Sequence, residues 1–177
     1  LKTPNMVFTF LGGNNGKKLR HLLEDEEIGF SSIRTEGETR FGSVVIGGSP
    51  VTVTNFFGRN SVVTENEVNE FLTKLEKMIG NCEIVVFSGS SPCENTGRIF
   101  IEGIKIANNQ DKISVLDTYG SHLSECIDAS PTIIHNNKTE IEQSLGRRLE
   151  TEKEKIEFLN FLYSKGIKQS FITDGEK

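Results

Sequence analysis

Thr64 to Pro92 reads TENEVNEFLTKLEKMIGNCEIVVFSGSSP, and three signals in it spell one repeat of an α/β fold. Thr64 and Glu67 form a capping-box signature, in which a hydroxyl and a carboxylate three residues apart satisfy each other's backbone amides. Val68, Phe71, Leu72, Leu75 and Ile79 then recur at helical spacing, which predicts a helix over about 65 to 80. Ile84 to Phe87 is a short apolar run of buried-strand type, and Gly89 to Pro92 turns the chain.

The same alternation extends in both directions. Downstream, Ile99, Phe100, Ile104 and Ala107 mark a helix, Ile113 to Leu116 a strand, Leu123 and Ile127 a short helix, and Thr132 to Ile134 another strand. Thr151 and Glu154 then cap a helix bearing Ile156, Leu159 and Leu162, and Phe171 with Ile172 starts one more strand. Upstream, Met6 to Leu11 reads as a buried strand that Gly12, Gly13 and Gly16 break before a helix carrying Leu19, Leu22 and Leu23. Between these parts, residues 30–57 change texture to short β-like runs, including Val44 to Ile46 and Val51 to Asn55. They are expected to form a subsidiary antiparallel sheet, a candidate lid. Strands separated by helical patterns imply right-handed parallel crossovers, with ligands at the carboxyl ends of the strands. The fold class expected is therefore α/β, doubly wound and mostly parallel, with a small antiparallel β lid.

A length of 177 residues suits a single domain, 1–177. The net charge of −5 is mild and forms no long single-sign block, so nucleic acid is not an indicated partner. Cys82, Cys93 and Cys126 lack any C-x-x-C pair, which points away from zinc and disulfides and toward a reducing cytoplasm. No apolar stretch approaches a bilayer span, so no membrane partner is expected. The chain opens on Leu1 rather than Met and ends just after the apolar run 170–173. Both ends read as cut.

Four places carry candidate chemistry. Gly12, Gly13 and Gly16 faintly resemble a dinucleotide-binding turn, but the spacing favours a packing or turn role. Asn137 and Glu140, one helical turn apart after a strand, could orient waters around magnesium, or could be a helix cap with a first-turn carboxylate. Asp117 follows a strand at the same sheet edge; its alternative role is a turn residue. Arg40 could grip a phosphate with its paired donors, or be a solvated strand residue. His21, His122 and His135 show no metal-like spacing, and His21 and His122 read as surface or cap residues.

In order along the chain, several short motifs resemble the ribokinase-like (PfkB) carbohydrate kinase family, near its 1-phosphofructokinase and tagatose-6-phosphate kinase branch. Phe10 to Gly13 with Gly16 is similar to F-L-G-x-x-x-G, Glu36 to Arg40 to E-G-x-T-R, and Val85 to Pro92 to V-V-x-S-G-S-L-P. Asp117 to Gly120 resembles D-T-S-G, Asn137 to Glu140 the N-x-x-E signature, and Thr173 to Gly175 the T-x-G element. His135 and Asn136 stand where Lys and Pro are usual, Gly42 where Asn is, and Ser91, Glu94 and Asp174 where Leu, Gly and Leu are common.

The resemblance implies ATP-dependent phosphoryl transfer to a hydroxyl of a phosphorylated ketohexose, with ATP and Mg2+ as cofactors. It implies that Arg40 and the Ser88, Gly89, Ser90 loop face the sugar phosphate. Asp117, Asn137, Thr173 and Gly175 would approach the nucleotide, and Glu140 with Asn137 would serve magnesium through water. No catalytic base is implied within the chain, because the family's G-A-G-D aspartate would lie beyond Lys177. A homodimer through the lid is also implied. The alternative is a non-catalytic sugar- or nucleotide-binding remnant of the same fold.

Overall fold

Phe71, Leu75 and Ile79 are buried one helical turn apart, and the stripe they form belongs to helix α2 (Glu65–Ile79), as the spacing predicts. The computed structural model describes residues 3–175 as two compact units, one up to Glu70 and one from Phe71 onward, so α2 begins in the first and continues in the second.

In the first unit β1 (Val7–Gly12), α1 (Gly13–Asp25) and β2 (Phe30–Thr35) make a βαβ crossover. The two strands pair in parallel from Val7 opposite Phe30 to Gly12 opposite Thr35. Strands β3 (Gly42–Gly47) and β4 (Thr52–Phe57) form the expected antiparallel sheet, Gly42 opposite Phe57. The stretch 30–57 therefore divides. Its first strand extends the parallel pair, and only Gly42 to Phe57 is the small sheet. Local alternation shows a strand but not its partner, which the crossover decides. Every residue of β3 and β4 is exposed.

The second unit holds β5 (Ile84–Ser88), β6 (Ile113–Asp117), β7 (Ile133–Asn137) and β8 (Gln169–Thr173), all parallel and in the order β5-β6-β7-β8. They alternate with α3 (Gly97–Asn109), α4 (Leu123–Asp128), α5 (Lys138–Leu145) and α6 (Glu152–Ser164). Each crossover steps one strand the same way, and right-handed connections of that kind lay their helices on one face of the sheet. That face carries Phe87, Leu116 and Ile134, all buried. On the opposite face Ile84, Val86 and Phe171 are 54%, 59% and 54% exposed, so these apolar strands are buried on one side rather than two. In α6 the buried pair is Phe158 and Leu162, whereas Ile156 and Leu159 point outward. The apolar residues of α6 fall on two faces, and periodicity alone does not say which face meets the sheet.

The Thr64–Glu67 cap is realised. Glu67 Oε2 accepts the Thr64 N–H at 2.6 Å and the Glu67 N–H bonds Thr64 Oγ1 at 3.3 Å. Glu67 Oε1 accepts in addition the N–H of Glu36 at 2.8 Å, which ties the loop after β2 to the start of α2. Burial pushes the Glu67 carboxyl up, but the amides of Thr64 and Glu36 and the Thr64 hydroxyl outweigh it, and the net shift is downward. A carboxylate whose pKa is lower folded than unfolded stabilises above its ordinary range, and the contribution is lost as pH falls through the folded value. Glu67→Ala should thus cost about 1–3 kcal/mol at pH 7. Urea unfolding from pH 7 down to 3 should show the gap to the parent narrowing; a gap independent of pH would mean that the charge contributes nothing.

Candidate functional site

The carboxyl ends of the four parallel strands of the second unit gather most of the expected residues. Ser88 at the end of β5 pairs with Asp117 at the end of β6, and Asn137 at the end of β7 with Thr173 at the end of β8. Gly175 lies two residues beyond, exposed.

Gly89 has φ of +99°, a conformation that side chains resist, and both of its backbone groups are held by the end of β6. Its N–H donates to the Asp117 carbonyl at 3.0 Å and its carbonyl accepts from Thr118 Oγ1 at 2.6 Å. The turn that follows β5 is thereby set, with Ser88 exposed and Ser90 half-buried on either side of Gly89.

Thr118 is buried, 1% exposed, and sits at a junction. Its carbonyl accepts from Asn136 Nδ2 at 2.6 Å, and its hydroxyl also meets His122 Nε2 at 3.1 Å. The single hydroxyl hydrogen goes to the Gly89 carbonyl, which cannot donate, so His122 carries its proton on Nε2 and gives it to Thr118. Burial holds the His122 pKa below the usual imidazole range against the opposing charge of Glu125, and the ring lies 4.9 Å from that of Phe100. His122 occupies the position before α4, but its ring is buried rather than on the surface.

Asn137 and Glu140 make a reciprocal cap on α5. The Glu140 N–H bonds Asn137 Oδ1 and the Asn137 N–H bonds Glu140 Oε2, each at 2.9 Å. Asn136 Nδ2 reaches the same Oε2 at 3.5 Å. The capping alternative is what these contacts satisfy. Asp117 Oδ1 lies 3.4 Å from His135 Nδ1, both partly exposed. Asp174, between Thr173 and Gly175, accepts from Lys155 Nζ at 3.2 Å.

In the first unit Arg40 lies in the connection between β2 and β3, not in a strand. Its Nη1 donates to Asn60 Oδ1 at 2.8 Å and its guanidinium sits 4.8 Å from the centre of the Phe57 ring. The side chain is exposed yet held. Gly12 ends β1, Gly13 opens α1 with φ of +62°, and Gly16 lies within the first turns of that helix; Gly12 and Gly16 are buried.

Sequence reasoning missed Thr118, His122 and Asn136 as one buried polar set. A signal was present. With a side-chain period of two, Asn136 shares the inward face of β7 with Ile134, and an amide there needs partners. Among the described residues no group of three or more His, Cys, Asp or Glu could hold a metal ion, and burial pushes the Cys126 thiol up to about 12. Thiolate chemistry is not served by Cys126.

The chain belongs to the pfkB family of carbohydrate kinases, whose pattern it matches over residues 5–177. It is similar to the 1-phosphofructokinase of Borreliella burgdorferi, 26% identical over 175 residues, a match that takes in 99% of this chain and 56% of that protein. Among solved structures it is similar to a possible 1-phosphofructokinase from Thermotoga maritima, with a TM-score of 0.82 and 23% identity over 98% of this chain and 56% of that one. Phosphofructokinase-2 from Escherichia coli, solved in complex with fructose-6-phosphate, gives a TM-score of 0.79 at 20% identity over 96% of this chain and 56% of that one. These likenesses bear out the ribokinase-like α/β fold with its parallel sheet and small antiparallel one. The chain spans little more than half the length of the relatives it matches.

Thr118→Val keeps the shape of this buried junction and removes its hydroxyl, leaving the Gly89 carbonyl and the His122 N–H without that partner. The expected cost is about 1–3 kcal/mol, the penalty for stranding a buried polar group. Chemical unfolding of the variant and parent checks it, and a loss below a few tenths would show that water replaces the hydroxyl without penalty.

Proposed function

We propose that these residues belong to an enzyme transferring the γ-phosphoryl group of ATP to a hydroxyl of a phosphorylated ketohexose, of 1-phosphofructokinase or tagatose-6-phosphate kinase type. One observation carries the reading: Ser88, Asp117, Asn137 and Thr173, each from a different family-like motif, end four adjacent parallel strands. Ligands of open α/β sheets bind beyond that edge. Family membership and the kinases among the relatives support it.

Each group has a role its chemistry suits. The Arg40 guanidinium, already held by Asn60 and Phe57, offers paired donors to the sugar phosphate. The Ser88, Gly89, Ser90 turn offers hydroxyls to the sugar, and its fixed backbone aligns them before binding. Asp117, Asn137, Thr173 and Gly175 approach the nucleotide. Magnesium, when bound with ATP, supplies neutralisation of phosphate charge. The residues fit such an ion when it keeps its waters, as magnesium tends to. Asn137 Oδ1 and Glu140 Oε2 each spend only part of their acceptor capacity on the cap, which leaves lone pairs for bridging water.

No described residue is assigned the base that takes the hydroxyl proton, and G-A-G-D does not occur in residues 1–177. The family aspartate is proposed for that role, and the 177 residues alone are proposed to be inactive. The second reading, a binding remnant without catalysis, is favoured by one observation, the use of both Asn137 and Glu140 in the cap of α5. The chain is taken as one incomplete kinase domain working in the cytoplasm; no described helix is long and apolar enough to cross a membrane. A homodimer through one face of β3 and β4 would cover Val44, Ile46, Val53 and Phe57, which are exposed.

Two substitutions test this. Glu140→Gln keeps an oxygen for the cap, so turnover in the enzyme that contains these residues should fall roughly 100-fold while sugar binding holds. Turnover within a few-fold of the parent reduces the pair to a cap and favours the remnant. Arg40→Ala should weaken fructose 6-phosphate or fructose 1-phosphate far more than ATP when each is titrated calorimetrically, and equal losses would remove Arg40 from the sugar site.

A further inference from the structure

Helix α1 has no side-chain cap at Gly12 and no acidic residue in its first turn. Its amides find their acceptor 24 residues away, in the loop that carries Arg40. Glu38 Oε2 accepts the N–H of Asn14 at 3.2 Å and Oε1 that of Asn15 at 2.6 Å. A Cβ on Gly13 would fall 1.8 Å from Glu38 Oε2, so the glycine turn is shaped around this carboxylate.

The rest of the loop follows it down. The Thr39 N–H donates to the Gly12 carbonyl and Thr39 Oγ1 accepts the Gly12 N–H, both at 3.0 Å. Asn15 Nδ2 donates to the Thr39 carbonyl at 2.9 Å, and Ser61 Oγ to the Glu38 carbonyl at 2.5 Å. Both residues before Arg40 are thus fixed at side chain and backbone, and Arg40 leaves the loop toward Asn60 and Phe57. The negative charge of Glu38 also occupies the positive end of the α1 dipole, where a phosphate would otherwise compete with the Arg40 site.

We infer that Glu38 is a positioning residue for Arg40, its carboxylate seated on the first turn of α1 so that the guanidinium stands ready before a phosphorylated sugar arrives. The inference rests on the reading of Arg40 as the phosphate grip. Ordering that side chain in advance spares the entropy of ordering it on binding, so removing the anchor should cost about tenfold in affinity.

The test is a double-mutant cycle read by calorimetry with fructose 6-phosphate, fructose 1-phosphate and ATP on the parent, Arg40→Ala, Glu38→Ala and the double variant. Expected are an approximately tenfold weaker sugar phosphate for Glu38→Ala, ATP within about twofold, and no further loss when Arg40 is already Ala. Glu38→Gln, which keeps an acceptor but not the charge, should recover part of the affinity, and it carries the comparison if Glu38→Ala does not fold. Losses that add across the cycle, or that fall equally on ATP, overturn the inference while leaving Arg40 in place. An Arg40→Ala variant that binds sugar phosphate normally overturns the reading of Arg40 and the inference with it.

Discussion

The amides at the start of a helix have no partner within the helix, and at four helices of this protein a carboxylate accepts from at least one amide there. Glu38 takes first-turn amides of α1, whereas Glu67, Glu140 and Glu154 take the N–H of the capping residue just before α2, α5 and α6. Three of the four are local boxes. Glu38 arrives from a distant loop, and Glu67 divides its two oxygens between its own helix and the amide of Glu36. The connection between β2 and β3 is consequently pinned by carboxylates at both of its acidic ends, Glu36 through its amide and Glu38 through its side chain. Arg40 depends on that arrangement for its place.

A second dependence lies in the parallel sheet of the second unit. Its strand ends are joined by side chains as well as by the ladder: Thr118 reaches back to Gly89 on one side and accepts from Asn136 on the other. Asn136 in turn approaches the carboxylate that caps α5. Buried amides and hydroxyls are costly when unpaired, so each member restricts the next. The ends of β5, β6 and β7 are held in a mutual arrangement by a set whose Thr118, His122 and Asn136 are buried. His122 closes it as a neutral donor, which its depressed pKa permits.

Much of the protein's apolar surface is uncovered in the described residues. The hairpin of β3 and β4 shows Val44, Ile46 and Phe57 to solvent, and the sheet of the second unit shows Ile84, Val86 and Phe171. On the hairpin Val44, Ile46 and Phe57 share one face, and apolar surface of that kind usually marks contact with another protein element. In the sequence these runs look like core strands, and their texture is that of residues meant to be covered.

Local patterns carried far in this chain. The helix over 65 to 79, the Thr64 and Thr151 boxes, the parallel alternation and the antiparallel pair at 42 to 57 all follow from spacing and turn chemistry, because each depends on neighbours within a few residues. The motifs that resemble a carbohydrate kinase lay at predicted strand ends for the same reason, and the sequence alone named Arg40, Asp117, Asn137 and Glu140. What it left open were partners. Whether β2 joined β1 or the hairpin, that Asn136 bonds Thr118, and that Glu38 seats on α1 were decided by contacts 18 or more residues apart in the chain, and which stripe of α6 turned inward was decided by its packing. A hydrogen bond needs an acceptor within about 3 Å, and nothing in local periodicity says which distant atom the fold will bring there.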